Sequence, residues 1–160
     1  MSQPYESAPQ APPGPPPGPP PGGPSGPRAS FGQRLGALLL DGLIIGLGGF
    51  LVVVLLAAIN DALGILGYVL WIVGFFAYYT YFEGGPTGQT WGKKALNIRV
   101  IDSQTGGQVG YGKAFLRYLV RSLLSGILLL GYLWMLWDPE KQTWHDKIAG
   151  TFVVPVDAYR

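Results

Sequence analysis

The sequence predicts an all-α membrane protein: an antiparallel hairpin of transmembrane helices, a third short membrane segment, an interfacial amphipathic helix and a disordered N-terminal tail. Three observations lead to this fold class. The chain of 160 residues is 48% hydrophobic and only 12% charged, about half the charged fraction of soluble domains. Residues 35–82 hold two acidic side chains and no basic one. The core of a soluble protein of this size does not need so long an apolar stretch. Twelve of the 15 prolines fall within residues 1–30.

The tail, residues 1–29, is predicted to be a disordered, cytoplasmic segment rich in proline and glycine. Its proline runs restrict φ and remove backbone donors, so neither helix nor sheet can form, and the glycines keep it loose. Two interpretations fit: a solvated tether, or an interaction arm for a partner that binds proline motifs.

Two apolar stretches open the membrane domain, which covers residues 30–156, and are predicted as transmembrane helices at 35–59 and 62–82. The first would be about 37 Å long as a helix, more than the ~30 Å of the hydrocarbon core. Asn60 and Asp61 form a very short polar turn, so the helices run antiparallel. The second helix ends in a cluster of tyrosine and phenylalanine, which is typical of a membrane interface.

The basic residues predict the orientation of the hairpin. Arg28 and Arg34 precede it, six basic residues lie between 93 and 121, and the turn has none. The positive-inside rule then places the tail and residues 83–121 in the cytoplasm. We therefore expect a multi-pass protein of the cell (plasma) membrane with a cytoplasmic N-terminus.

The loop at 83–112 contains a strand-like alternation at 96–102 and leads into an amphipathic helix predicted at 112–124. Three basic residues repeat along one side of this helix: Lys113, Arg117 and Arg121. We expect that side to face anionic lipid or the acidic residues of a partner.

The third apolar segment, 119–137, is short for a membrane span. Two interpretations stay open: it spans, which puts the C-terminus outside, or it re-enters, which keeps the C-terminus in the cytoplasm. The remaining segment, 138–156, is polar and then β-like. Pairing of its last residues with 96–102 would require both on one side of the membrane.

Asp41 is the most informative polar residue, because a carboxylate at the centre of a membrane helix costs ~2.5–3.5 kcal/mol and is normally kept with a partner. Arg34 lies two turns earlier, about 10 Å away along the axis, and is expected to anchor the helix at the headgroups. Candidate partners of Asp41 are Arg117, Arg121, Lys147 or a bound ion. Asp41 then either fixes helix packing or forms an ion or proton site.

Close helix packing is predicted at three glycines that follow Asp41: Gly42, Gly46 and Gly49. Gly42 and Gly46 have the small-xxx-small spacing that lets another helix approach closely. A partner helix is therefore expected on this face.

Several kinds of chemistry are not expected. The chain has no cysteine and one histidine, which excludes thiol chemistry and gives no metal site. His145, beside Asp146, is interpreted either as a titrating group or as part of an interfacial cap held by hydrogen bonds. Residues 85–94 lack the spacing of a phosphate loop, and no nucleophile–base pair is evident. We expect no enzyme activity and no cofactor, and a net charge of +2 is too small to suggest nucleic acid.

Three ordered motifs resemble the RDD family, which is named for one arginine and two aspartates. They are Phe-Gly-Gln-Arg-Leu with a following Asp-Gly at 31–42, Gly-Gln-Thr-Trp-Gly-Lys at 88–93, and the stretch 142–151. The resemblance implies a multi-pass membrane protein and assigns the three residues to Arg34, Asp41 and Asp146. The family's molecular function is mostly unassigned, with transport of unknown ligands proposed. The tail resembles that of the proline-rich antigen homologues of actinobacteria.

Two functions fit these features. In the first, a homo-oligomer takes part in ion or small-solute transport, with Asp41 binding a proton or cation and Arg34 and Asp146 orienting or gating it. In the second, the chain is an accessory or assembly subunit of a larger membrane complex. Its glycine face then packs on partner helices, and its tail recruits a partner.

Overall fold

The computed structural model describes residues 24–125 and 130–158. Most of the predicted tail, residues 1–23, lies outside this range, as do residues 126–129 of the third apolar segment. The described chain consists of a long helical hairpin and a cap, which we define as residues 85–125 and 130–158, packed against one end of the hairpin.

The first arm of the hairpin is helical from Phe31 to Ala57. It comprises α1 (Phe31–Asp41), a π-helical stretch (Gly42–Leu47) and α2 (Gly48–Ala57). Ser30 and Gln33 begin it with a capping box: the Ser30 hydroxyl accepts from the Gln33 amide at 3.2 Å, and the Gln33 side chain accepts from the Ser30 amide at 3.0 Å. These reciprocal bonds satisfy donors that a helix start leaves free.

The second arm is α3 (Asp61–Gly84), begun by Asn60, whose side chain accepts from the Leu63 amide at 2.9 Å. Both arms are long and apolar enough to cross a membrane. In the most apolar 18 residues of each arm, only 6% of the first arm and 17% of the second are buried by the described chain. The predicted helices at 35–59 and 62–82 are therefore found as two candidate spans, each within a few residues of its expected bounds.

The cap contains four short helices and two strands. These are α4 (Trp91–Ala95), β1 (Ile98–Asp102), α5 (Tyr111–Val120) with a π-helical continuation (Arg121–Ser125), α6 (Leu130–Leu133) with a 3-10 turn (Trp134–Leu136), α7 (Trp144–Ala149), and β2 (Thr151–Pro155) with a 3-10 turn (Val156–Ala158). Its small core joins the sheet to the start of the hairpin, because Ala37 of α1 packs in one cluster with Val100 and Val153.

The strands β1 and β2 pair antiparallel, with Val100 opposite Val153. The β-like residues near the C-terminus thus pair with the stretch at 96–102, which the sequence had indicated only as a possibility. In the described parts of the third apolar segment, no third helix reaches the length of a span.

The end of the predicted tail is part of the fold. The Ala29 amide donates to the Val153 carbonyl at 2.9 Å. Arg28 pairs with Glu140 at 2.6 Å and lies 3.8 Å from the centre of the Phe152 ring. The fold thus includes Arg28 and Ala29, which lie before the predicted boundary at residue 30.

Candidate functional site

Charged side chains converge where the cap meets the hairpin. Seven residues that carry a titratable side chain are buried there: Arg34, Asp41, Glu83, Lys93, Arg117, His145 and Asp146. Together with the partly buried Arg121, which lines a small cavity with five of them, we call them the buried polar cluster. Their burial is notable because a charge removed from water is costly unless it is paired.

Asp146 joins the first arm of the hairpin to the cap. Its Oδ2 accepts from Arg34 Nη2 at 2.5 Å and from the Thr143 amide at 3.1 Å, and its Oδ1 accepts from Arg117 Nε and Nη2 at 2.9 and 2.7 Å. Burial alone would raise the pKa of this carboxyl, but the Arg34 and Arg117 guanidiniums outweigh burial and hold it well below its usual range. Asp146 is therefore ionised at neutral pH.

Glu83 joins the second arm to the cap. Lying near the end of α3 and 1% exposed, it pairs with both Lys93 and Arg117. Arg117 consequently bridges Glu83 and Asp146, so a single guanidinium from α5 connects the second span to α7. Burial lowers the pKa of Lys93, and the Glu83 carboxylate opposes that effect.

Asp41 has a separate environment made of neutral donors. Its Oδ1 accepts from the Tyr78 hydroxyl at 2.9 Å and from the Gly92 amide at 2.8 Å, and its Oδ2 accepts from the Thr90 hydroxyl at 2.6 Å. The expected salt bridge from Asp41 to Arg117, Arg121 or Lys147 is therefore wrong for the described chain. Buried donors around a carboxylate replace the hydration that it loses.

Gly92 explains why α4 can approach Asp41 so closely. A Cβ at this position would lie 2.2 Å from the Ala37 carbonyl oxygen and 2.9 Å from Asp41 Cγ. Only glycine leaves room for its own amide to reach the carboxylate. The motif at 88–93 thus packs directly against the Asp41 carboxylate.

Arg121 is held by aromatic rings. Its guanidinium carbon lies 4.8 Å from the ring centre of Tyr79, 5.6 Å from that of Tyr118 and 5.7 Å from that of Tyr132. These are cation–π distances. Within the described residues it forms no salt bridge.

His145 is 1% exposed and its Nε2 lies 2.9 Å from the Thr143 hydroxyl. Burial lowers the pKa of His145 well below its usual range, and the nearby Arg117 and Arg121 lower it further against the opposing effect of Asp146. The imidazole is therefore neutral at neutral pH. In the described parts of the chain, no group of three or more histidine, cysteine or acidic side chains is arranged to hold a metal ion.

Two expectations for the basic residues are wrong. Arg34 does not extend to the headgroups, because its side chain is buried on Asp146. The basic side of the helix at 112–124 was expected to meet lipid or a partner's acids, but Arg117 pairs with Glu83 and Asp146 of its own chain and Lys113 pairs with Asp102. Lys147, with its side chain 44% exposed, pairs with Asp138 outside the cluster.

The glycines predicted for helix packing divide into two groups. A Cβ on Gly49 would lie 1.9 Å from the Trp71 ring, so this glycine does allow close contact between the arms. Trp71 also donates to the Ile45 carbonyl at 3.2 Å, within the π-helical stretch. Gly42 and Gly46 have nothing within 4 Å of such a Cβ, so the face that they share is open.

Sequence reasoning missed several members of the site, chiefly Glu83, Thr90, Lys93 and Tyr78. One available signal was that Glu83 is the first charge after a long uncharged helix. Another was that Thr90 and Lys93 lie inside a motif already noted for the resemblance. Tyr78 gave no signal of its own, because it belonged to an expected aromatic belt.

The model of the RDD family matches residues 28–150. The chain belongs to the RDD family. The RDD match covers both candidate spans and the cap up to the residue before β2, and the resemblance read from the three motifs is confirmed.

The chain is also similar to curated mycobacterial proteins. It is 33% identical over 95 residues to the proline-rich antigen homolog of Mycobacterium tuberculosis, which covers 59% of this chain and 37% of that protein. It is 33% identical over 89 residues to the proline-rich antigen of Mycobacterium leprae, covering 56% of this chain and 33% of that protein. The matched part is thus only about a third of each relative's length. No solved structure matches this RDD chain.

Proposed function

We propose that this RDD protein is an accessory or assembly subunit of a larger complex in the cell membrane. The observation that supports this most is the uncovered surface of the hairpin. The described chain buries only 6% of the most apolar 18 residues of the first arm and 17% of those of the second. Lipid covers part of such a surface in a membrane, and the helices of a partner can cover the rest.

The cap is fastened to this hairpin by contacts from both arms. Asp146 pairs with Arg34 of the first arm, and Arg117 pairs with Glu83 of the second. Removing one member of a buried pair typically costs about 3–5 kcal/mol, so cap and hairpin behave as one unit. A rigid unit with an open membrane face suits docking.

The open face includes Gly42 and Gly46, and we assign partner helices to it. Affinity purification of the tagged full-length chain after gentle detergent extraction, followed by mass spectrometry, tests the assignment. The wild type is expected to retain membrane companions, Gly46→Leu to lose them, and Gly74→Leu, an equally open glycine on α3, to keep them. Purification of the wild type alone, as a defined oligomer without companions, contradicts the accessory role.

We further infer that both ends of the described chain lie in the cytoplasm. Hydrogen-bonded strands cannot lie on opposite sides of a bilayer, and β1 pairs with β2. The chain between the two strands then crosses the membrane an even number of times. This favours the re-entrant or interfacial interpretation of residues 119–137 over a single span.

Single cysteines test this topology cleanly, because the chain contains none of its own. We expect Ala58→Cys, in the turn of the hairpin, to react with an impermeant maleimide on intact cells. Gln104→Cys and Asp157→Cys should react only after permeabilisation. Labelling of Asp157→Cys on intact cells would refute the shared side.

A second candidate is ion transport by a homo-oligomer through Asp41. One observation favours it: Asp41 is 1% exposed and lines a small, partly open cavity. Asp41→Asn is a suitable test, because the Thr90 hydroxyl can accept as well as donate and so the local hydrogen bonds survive. Flux in proteoliposomes that is unchanged by this substitution argues against the transport role.

A further inference from the structure

The buried polar cluster borders a small, partly open cavity of about 20 Å³. Charged and titratable side chains supply much of its lining: Arg34, Asp41, Lys93, Arg117, Arg121 and His145. A cavity needs roughly 10–15 Å³ to hold one water molecule. This one therefore accepts a single water or an ion of similar size.

The charge around the cavity is positive. The cluster holds four cationic side chains against the carboxylates of Asp41, Glu83 and Asp146, and His145 is neutral. One cation is therefore in excess. Arg121 is the cation that forms no salt bridge within the described chain, and the three tyrosine rings around it supply no full negative charge.

An unpaired donor also belongs to this cavity. The Arg34 side chain is 5% exposed, and its Nε, although buried, has no hydrogen-bond partner among the described residues. Buried polar atoms nearly always have a partner. Since Arg34 lines the cavity, an acceptor inside the cavity would satisfy its Nε.

A cation is a poor occupant. Asp41 is the one carboxylate that lines the cavity, and it already accepts from Tyr78, Thr90 and Gly92. Any cation entering would be repelled by the four positive side chains. The small space of about 20 Å³ favours a monatomic anion over a bulkier polyatomic one such as phosphate.

We propose that the cavity binds one small monatomic anion with the size and charge of chloride. The anion accepts from Arg34 Nε and balances the excess charge of Arg121. This site does not depend on the accessory role, because it belongs to the folded unit itself.

Thermal unfolding of the full-length protein in detergent tests the site. Sodium chloride is titrated against sodium gluconate at constant ionic strength, and Tm is followed by tryptophan fluorescence. We expect Tm to rise with chloride and to saturate, because a ligand that binds only the folded state stabilises it. Bromide should replace chloride and give an anomalous diffraction peak inside the cavity.

Arg121→Gln should lose the chloride-dependent rise in Tm, since it removes the excess cation. Lys113→Gln is the matched control: it removes a cation of the same helix whose side chain is 43% exposed and does not line the cavity, so the rise should persist. Equal Tm values in chloride and gluconate, or a rise retained in Arg121→Gln, would overturn the proposal. If Arg121→Gln does not fold, the bromide peak in the unsubstituted protein decides by its presence or absence.

Discussion

Replacing Asp146 by asparagine removes the carboxylate that Arg34 and Arg117 share. Asp146 is fully buried, so water cannot replace the lost charge. Arg117 keeps Glu83 as a partner, but Arg34 has no other carboxylate within salt-bridge distance in the described chain. We expect the free energy of unfolding to fall by about 3–5 kcal/mol, the usual cost of breaking a buried pair by removing one partner.

A loss of this size is a large part of the roughly 5–15 kcal/mol that stabilises a typical domain. At this chain length it should lower Tm by about 10–15 °C. Near-UV circular dichroism of the purified protein in mild detergent measures the change. Limited proteolysis should show the segment 138–158 released first, because Asp146 of α7 fastens that segment to the hairpin.

Glu140→Gln serves as the control, because it also breaks a salt bridge to an arginine of the N-terminal segment. The Glu140 side chain is 55% exposed, and exposed pairs contribute about 0–1 kcal/mol. Arg34→Gln combined with Asp146→Asn should cost less than the sum of the two single changes. If Asp146→Asn is no more destabilising than Glu140→Gln, the buried cluster does not hold the cap.

Three other expectations can be measured with the same unfolding assay. Gly49→Ala places a methyl group against Trp71 and should lower the free energy of unfolding by about 1–3 kcal/mol through overpacking. Gly46→Ala has open space beside it and should change this free energy little. Equal effects of the two substitutions would contradict the packing described. Folding depresses the pKa of His145, so below about pH 6.5 the unfolded chain binds more protons than the folded chain. The free energy of unfolding should therefore fall as the pH drops below that value, by up to about 1.4 kcal/mol per pH unit. The pH slope should flatten in His145→Gln, and a slope left unchanged would assign it to other groups. Asn60→Ala removes the cap of α3 and should cost about 1 kcal/mol, and no loss would mean that the hairpin turn is held by other contacts.

The hairpin was predictable from sequence because its signals are local. Long apolar runs at 35–59 and 62–82, separated by Asn60 and Asp61, predict an antiparallel pair of helices in a membrane. The alternation of apolar and polar residues indicated that the two strands could pair. It did not decide on which side of the membrane the C-terminus lies. The third apolar segment stayed ambiguous since its length lies between that of a span and that of a short helix.

Several members of the buried polar cluster could be predicted from the sequence, but their salt-bridge and hydrogen-bond partners could not. Arg34, Asp41, Asp146 and Arg117 were all singled out, yet Arg34 was assigned to the headgroups and Asp41 to a cation. Periodicity places a residue on one face of its own helix, but it does not say which other element packs on that face. Glu83 was missed for the same reason, because its partners come from α4 and α5.

The amino-acid sequence by itself determined that two apolar helices form a hairpin and that the chain carries the RDD motifs, since hydropathy and short motifs are properties of neighbouring residues. Only the tertiary structure decided the partner of each buried charge. Arg34 and Asp146 lie 112 residues apart and meet because the β1–β2 pairing and the packing of α5 and α7 bring the cap back onto α1. Such a contact depends on the register and packing of several elements at once, which no single stretch of sequence specifies.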